Sequence, residues 1–143
     1  MPALTPGIYN QAVVTAILDG VPQTGLADGD SIRVNFPTDN STVTPPGVGS
    51  RRGSTSFALD QSGTVEIDYK TSSLSLDFPL QLYKKQKQGL ATTFDMYVVD
   101  GSGRNYNLYG CSVQSIGTPT FGGKVEQLQT IIFAFELGEP GIF

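Results

Sequence analysis

The sequence predicts a mainly β fold: an antiparallel β-barrel or sandwich of two packed sheets, with one flanking α-helix and a long extended loop. Short stretches that alternate apolar and polar residues recur along the chain, each closed by Gly, Asp or Ser turn pairs. A single stretch has helical spacing. The 143 residues include 17 Gly and 9 Pro, which punctuate turns and oppose long helices. One domain over residues 1–143 is expected, because the length suits a single core and no linker or internal repeat divides it.

The elements read in order as follows. Ala12–Leu18 is rich in β-branched and apolar residues, and Asp19-Gly20 turns it into a hairpin returning through Val21–Gly25. Ser31–Phe36 alternates, with Ile32, Val34 and Phe36 on one face and Ser31, Arg33 and Asn35 on the other. From Pro37 to Gly53 the pattern dissolves into Thr, Ser, Asn, Asp and Gly around Pro45-Pro46, which predicts a long loop. Thr55, Phe57 and Leu59 resume alternation, and Asp60–Gly63 turns the chain into Val65, Ile67 and Tyr69, a second antiparallel pair.

Ser73 to Asp77 offers helix-capping residues, Leu76, Leu80 and Tyr83 recur at i, i+4 and i+7, and Gly89 supplies a stop. Pro79 fits only in the first turn. Lys84, Lys85 and Lys87 fall at the C-terminal end, where the macrodipole favours cations. Phe94, Met96 and Val98 then alternate into the Asp100–Gly103 turn, Asn105–Ile116 returns, and Lys124–Leu137 forms the final strand, apolar on both faces from Ile131 to Phe135.

Composition excludes several function classes. A net charge of −4 leaves no basic footprint for gripping nucleic-acid phosphates. Histidine is absent, which removes the usual general base and metal ligand, and Cys111 is the only cysteine. No cofactor, metal site or enzyme activity is expected, and Cys111 reads as a small semi-buried thiol. No apolar run reaches membrane-span length, and Met1–Gln11 has neither a basic start nor an apolar core, so synthesis and retention in the cytosol are expected.

The remaining motifs are weak. Gly47–Gly49 and Gly101–Gly103 lack the strand, helix and third glycine of a phosphate loop. Asp28 with Asp30 reads as turn chemistry, and Glu66 with Asp68 as the polar side of an alternating strand. Arg51-Arg52 holds too few charges to bind nucleic acid alone at physiological salt.

The order of these segments carries more than any one of them. Asp19-Gly20, Thr24-Gly25-Leu26-Ala27-Asp28-Gly29-Asp30, Ile32, a loop with Gly47 and Gly49, and Asp60-Gln61-Ser62-Gly63-Thr64-Val65-Glu66-Ile67 follow one another. Thr71-Ser72-Ser73-Leu74 precedes the helix, Val98-Val99-Asp100-Gly101-Ser102-Gly103 forms the later turn, and Pro119 to Gly123 leads into the last strand. From Ala12 to Leu137 this resembles the tail-tube proteins of contractile-tailed bacteriophages, the myovirus family similar to the tube proteins of contractile injection systems.

The resemblance implies a virion structural protein assembled in the host cytoplasm: a homo-oligomer whose rings, six subunits each, stack into a channel for DNA ejection. Its partners would be tail sheath, baseplate and tail terminator proteins, with phage DNA passing without tight binding. Within this frame Pro37–Gly53 is the inter-ring loop, with Val43, Pro45, Pro46, Val48, Arg51 and Arg52 as contacts. Glu66, Asp68 and Asp95 are expected to line the lumen, since an acidic passage repels phosphates. The N-terminal arm 1–11 and the tail 138–143, with Ile8, Tyr9, Ile142 and Phe143, are expected to pack on neighbouring rings. The alternatives are a tube protein of a bacterial contractile injection or secretion system, and a carbohydrate-binding β-sandwich, which the lack of Trp disfavours.

Overall fold

A computed structural model describes residues 14–49, 51–90, 92–120, 122–123 and 125–141. The expected N-terminal arm 1–11 and Ile142 and Phe143 lie outside the described residues. Among the described residues the elements are β1 Thr15–Leu18, β2 Val21–Pro22, β3 Ile32–Asn35, β4 Ser41–Thr44, β5 Ser54–Phe57, β6 Gly63–Lys70, α1 Asp77–Lys87, β7 Phe94–Val99, β8 Asn105–Ser115, β9 Leu128–Phe135 and β10 Leu137–Pro140. All pairings between these strands are antiparallel.

The main sheet runs β2-β1-β7-β8-β9-β6-β3, and β10 also pairs with β8. It is one ribbon folded into two layers, and β8 belongs to both. The N-terminal half of β8 pairs with β10 through Tyr106–Tyr109, and its C-terminal half pairs with β9 through Ser112–Ser115. Between the halves sits Gly110 at φ +66°, a left-handed conformation that side chains resist, and irregular registers in β7 and β9 pairing add to the bend. Gly110→Ala is therefore expected to lower stability by about 1–2 kcal/mol, checked by urea denaturation. The first layer holds β2, β1, β7, β10 and the start of β8; the second holds β3, β6, β9 and the end of β8. Among the described residues the sheet does not close into a barrel, since β2 and β3 remain end strands.

The alternating strands bury one face each. Ala16 and Leu18, Met96 and Val98, and Leu108 from the first layer meet Val65, Ile67 and Tyr69, and Ile131, Phe133 and Phe135 from the second in one core cluster. The expected final strand is corrected in two ways. It breaks at Glu136 and continues as β10, so residues 138–140 belong to the sheet rather than to a free tail. Only Gln129, Ile131, Phe133 and Phe135 are buried along β9, while Ile132 and Ala134 on the other face are half-buried.

The helix starts later than the sequence suggests. Leu74–Leu76 forms a 3-10 turn, and α1 begins at Asp77 with no side-chain cap at either start. Ser73 instead donates its hydroxyl to the Thr24 carbonyl at 2.5 Å. Pro79 does fall in the first turn, where its missing N–H costs nothing. Pro79 and Leu82 are the buried residues of α1, whereas Leu80 and Tyr83 are half-buried. The lysines end the helix as solvated cations, with Lys87 lying 5.4 Å from the centre of the Tyr83 ring.

The largest departure concerns Pro37–Gly53 and the strand after it. Ser41–Thr44 is a strand, and β5 pairs with it rather than with β6, in register Ser41↔Phe57 to Thr44↔Ser54. β6 pairs instead with β3 and β9. The expected loop is thus one arm and the tip of a hairpin outside the main sheet.

Candidate functional site

The hairpin places apolar residues where, among the described residues, nothing covers them. Every residue of β4 and β5 is exposed. Side chains alternate across a two-stranded ribbon, so Val43 with Thr55 and Ser41 with Phe57 share one face, and Thr42, Thr44, Ser54 and Ser56 share the other. One face thus presents Val43 and Phe57, 69% and 71% exposed, and the other presents only hydroxyls. Pro45, Pro46, Val48, Arg51 and Arg52 are exposed around the tip. All six expected contact residues therefore sit on one projecting element. Sequence reading missed Phe57 and Leu59, which alternate as core residues would yet are exposed.

Bonds between its own two legs close the base of the hairpin. Ala58 N–H donates to the Asn40 carbonyl at 2.9 Å, and the Thr38 hydroxyl donates to Asp60 Oδ2 at 3.1 Å. Bonds from the Ser62 amide and hydroxyl, with that from Thr38, hold the Asp60 carboxyl below its usual range. A two-stranded ribbon standing alone is marginal in water.

The second candidate surface is the outer face of the second layer. Glu66 and Asp68 project there from β6, opposite the core residues Val65, Ile67 and Tyr69. Arg33 on β3 binds both: Nε to Glu66 Oε2 at 2.9 Å, and Nη1 and Nη2 to the two Asp68 oxygens at 3.1 Å each. The register explains the meeting, because Arg33 lies directly across from Glu66. Thr130 on β9 adds a hydroxyl bond to Asp68 Oδ1 at 2.5 Å. The face is a hydroxyl-bearing surface with partly compensated charge, where sequence reading named only the carboxylates. Arg33 was legible only as one more polar residue of an alternating strand.

Burial pushes the Asp68 carboxyl up, but the Arg33 and Thr130 hydrogen bonds and the Arg33 charge outweigh it and hold the group below its ordinary value of 3.8. The hydrogen bonds to Asp68 and Glu66 raise the Arg33 guanidinium above its ordinary value. Because the folded value of Asp68 is depressed, its stabilising contribution is complete above about pH 4 and is lost as pH falls through the folded value. Asp68→Asn is therefore expected to cost about 1 kcal/mol at pH 7, discounted for the partly exposed Arg33. The difference from the parent protein should shrink towards zero below pH 4, read from urea midpoints across pH.

Asp95 does not share this surface. It is exposed on β7 in the first layer, on the face opposite Phe94, Met96 and Val98, and accepts a 3.4 Å bond from the Gly110 amide. The three expected lumen carboxylates thus lie on the outer faces of two different layers. Their common polar alternation in sequence gave no sign of which layer each strand would join.

Other chemistry is sparse. Cys111 is fully buried, and burial with the nearby Asp95 charge pushes its thiol up to about 12, so it is protonated at neutral pH. Among the described residues, no group of three or more His, Cys, Asp or Glu is placed to hold a metal ion. Among the same residues, no helix is long and apolar enough to cross a membrane.

Searches against protein families and curated protein sequences find no match. Solved structures do match. A chain of the sheath-tube complex of an extracellular contractile injection system, PVC, in its extended state aligns with a TM-score of 0.66 at 10% identity, covering 99% of this chain and 95% of that one. The fold is tail-tube-like. A chain of the PVC sheath/tube terminator aligns at 0.65 with 9% identity over 99% and 100% of the two chains. A chain of the anti-feeding prophage tube-terminating cap aligns at 0.62 with 10% identity over 99% and 93%. At such identities the likeness is one of fold, and it covers 99% of this chain in each of the three.

Proposed function

We propose that this chain is the structural protomer of a phage tail tube: copies close into rings, hexameric by the resemblance, and rings stack into a channel for DNA ejection inside a contractile sheath. The carrying observation is the freestanding β4–β5 hairpin on a tail-tube-like body. An element with Val43, Phe57 and Leu59 exposed has its stabilising surface on another molecule. Val43, Pro45, Pro46, Val48, Arg51 and Arg52 are then the contacts to the next ring, where Pro45-Pro46 reduces the entropy lost on docking. Ring interfaces in an obligate assembly of this kind bury on the order of 2,000 Å² or more.

The passage would be lined by the outer face carrying Glu66 and Asp68. Arg33 compensates part of their charge, so the surface is neither strongly repulsive nor adhesive to a polyanion. Asp95, which sequence reading also gave as lumen-lining, projects from the outer face of the other layer. Sheath, baseplate and terminator proteins are the expected partners, with assembly in the host cytoplasm and residence in the virion tail. The extracellular injection machines among the structural neighbours favour a second reading, a tube that carries cargo other than phage DNA. Negative-stain electron microscopy of the purified protein at rising concentration tests the common core of both. Rings or tubes are expected; a monodisperse monomer at high concentration would sink the proposal.

A further inference from the structure

The hairpin and a second group of exposed apolar residues stand at opposite ends of the second layer. The hairpin leaves the layer between Asn35 of β3 and Gly63 of β6. From there β6 runs to Lys70, which lies roughly 23 Å away at a strand's rise per residue. Around Lys70 three segments are tied together. Its amide donates to the Gly25 carbonyl at 2.8 Å, its Nζ binds Asp28 Oδ1 at 3.1 Å, and it pairs with Leu128 at the start of β9. The Thr71 amide donates to the Gln127 carbonyl at 3.2 Å, and the Ser72 amide to Glu126 Oε1 at 2.6 Å. This end presents Leu74, Val125 and Leu128, which are 84%, 75% and 47% exposed. The adjoining loop presents the exposed carboxylates of Asp28 and Asp30.

We propose that these two ends meet between copies: the hairpin of one copy docks on the Leu74, Val125 and Leu128 surface of the next, with Arg51 and Arg52 facing Asp28 and Asp30. This contact presupposes the stacked rings proposed above and supplies their receiving surface. The two surfaces match in kind. The hairpin brings Val48 at its tip, Val43 and Phe57 along its apolar face, and two cations. The far end brings apolar side chains beside two carboxylates. Asp28 keeps its bond to Lys70 in this arrangement, because a carboxylate accepts from more than one donor. Contacts of tip with tip, or of far end with far end, would set like charges against each other, which an interface disfavours. A contact between two different surfaces is heterologous, so it need not close on a pair of copies. With its halves at opposite ends of β6 it continues from copy to copy, as stacking requires.

A photo-cross-linking residue in place of Val48, in 14N- and 15N-labelled protein mixed one to one before assembly, reads the contact directly. Mixed-label cross-links to peptides containing Leu74 or Val125–Leu128 are expected. If tubes form and the cross-links fall elsewhere, or join like-labelled peptides only, the receiving surface is wrong while the tube-protomer function stands. If electron microscopy of the parent protein shows neither rings nor tubes, both fall together. Charge exchange gives the second measurement, with circular dichroism as the check on folding. Arg51→Asp should raise the concentration needed for tubes roughly tenfold or more, and Asp30→Arg added in the same chain should return it to within about threefold of the parent. A folded double variant that assembles no better than Arg51→Asp alone would show that the two charges do not meet, and would overturn the pairing.

Discussion

Replacing Val43–Arg52 with a short Gly-Ser linker is expected to leave the protein folded and to abolish tube elongation. β4 and β5 contribute nothing to the core cluster, and all their residues are exposed, so the body loses no buried apolar area. Shortening the connection changes closure entropy by only about 0.6 kcal/mol per halving of length. The neighbouring ring, by contrast, would lose Val43, the stiff Pro45-Pro46 pair, Val48 and both arginines at once. A single anchor of hot-spot strength is worth at least about 2 kcal/mol, roughly 30-fold in affinity. On the proposed reading, in which the hairpin contacts the next ring, that loss would recur at every layer. Circular dichroism checks the fold and electron microscopy the assembly. Phe57→Ser with Val43→Ser, at unchanged chain length, should shift the concentration needed for tubes in the same direction. A folded linker variant that still makes full-length tubes would move ring stacking to another surface.

Much of this body was legible because a buried face leaves a period-two mark. β6 and β7 alternate in burial as they alternate in sequence, and Asp19-Gly20 and Asp100–Gly103 turn the chain where turn chemistry suggests. The partner of β5 was not legible. Thr55, Phe57 and Leu59 alternate identically whether their apolar side meets the chain's own core or another molecule, and pairing with β4 across a long tip is decided by contacts outside the strand. The helix was misphased for a local reason. Leu76 ends a 3-10 turn, wound tighter than an α-helix, so counting i+4 from it lands on Leu80 instead of the buried Pro79 and Leu82. The Arg33–Glu66–Asp68 cluster needed register, which brings residues 33 and 66 face to face only once β3 and β6 are paired.

Phe133→Ala is expected to lower the unfolding free energy by about 3–5 kcal/mol, the largest effect of any single truncation considered. Phe133 is fully buried on β9 of the second layer. Its ring meets Phe94 on β7 of the first layer edge to face, centroids 5.7 Å apart at 88°. Phe94 in turn meets Phe78 on α1 at 5.5 Å and 80°. The three rings form a chain through both layers into the helix, so the deletion leaves a cavity and removes an aromatic contact worth about 0.5–1.5 kcal/mol beyond area burial. A domain of ordinary stability has about 5–15 kcal/mol in all, which puts the variant near the unfolding threshold and its Tm on the order of 10 °C lower. The measurement belongs on unassembled protein, because ring formation would add stability by mass action and hide the loss. Phe57→Ala deletes the same atoms from an exposed hairpin position and should change monomer stability by no more than about 0.5 kcal/mol. If the two substitutions cost the same, the layers are not held together through Phe133, and the shared core of this fold has to be sought elsewhere along β9.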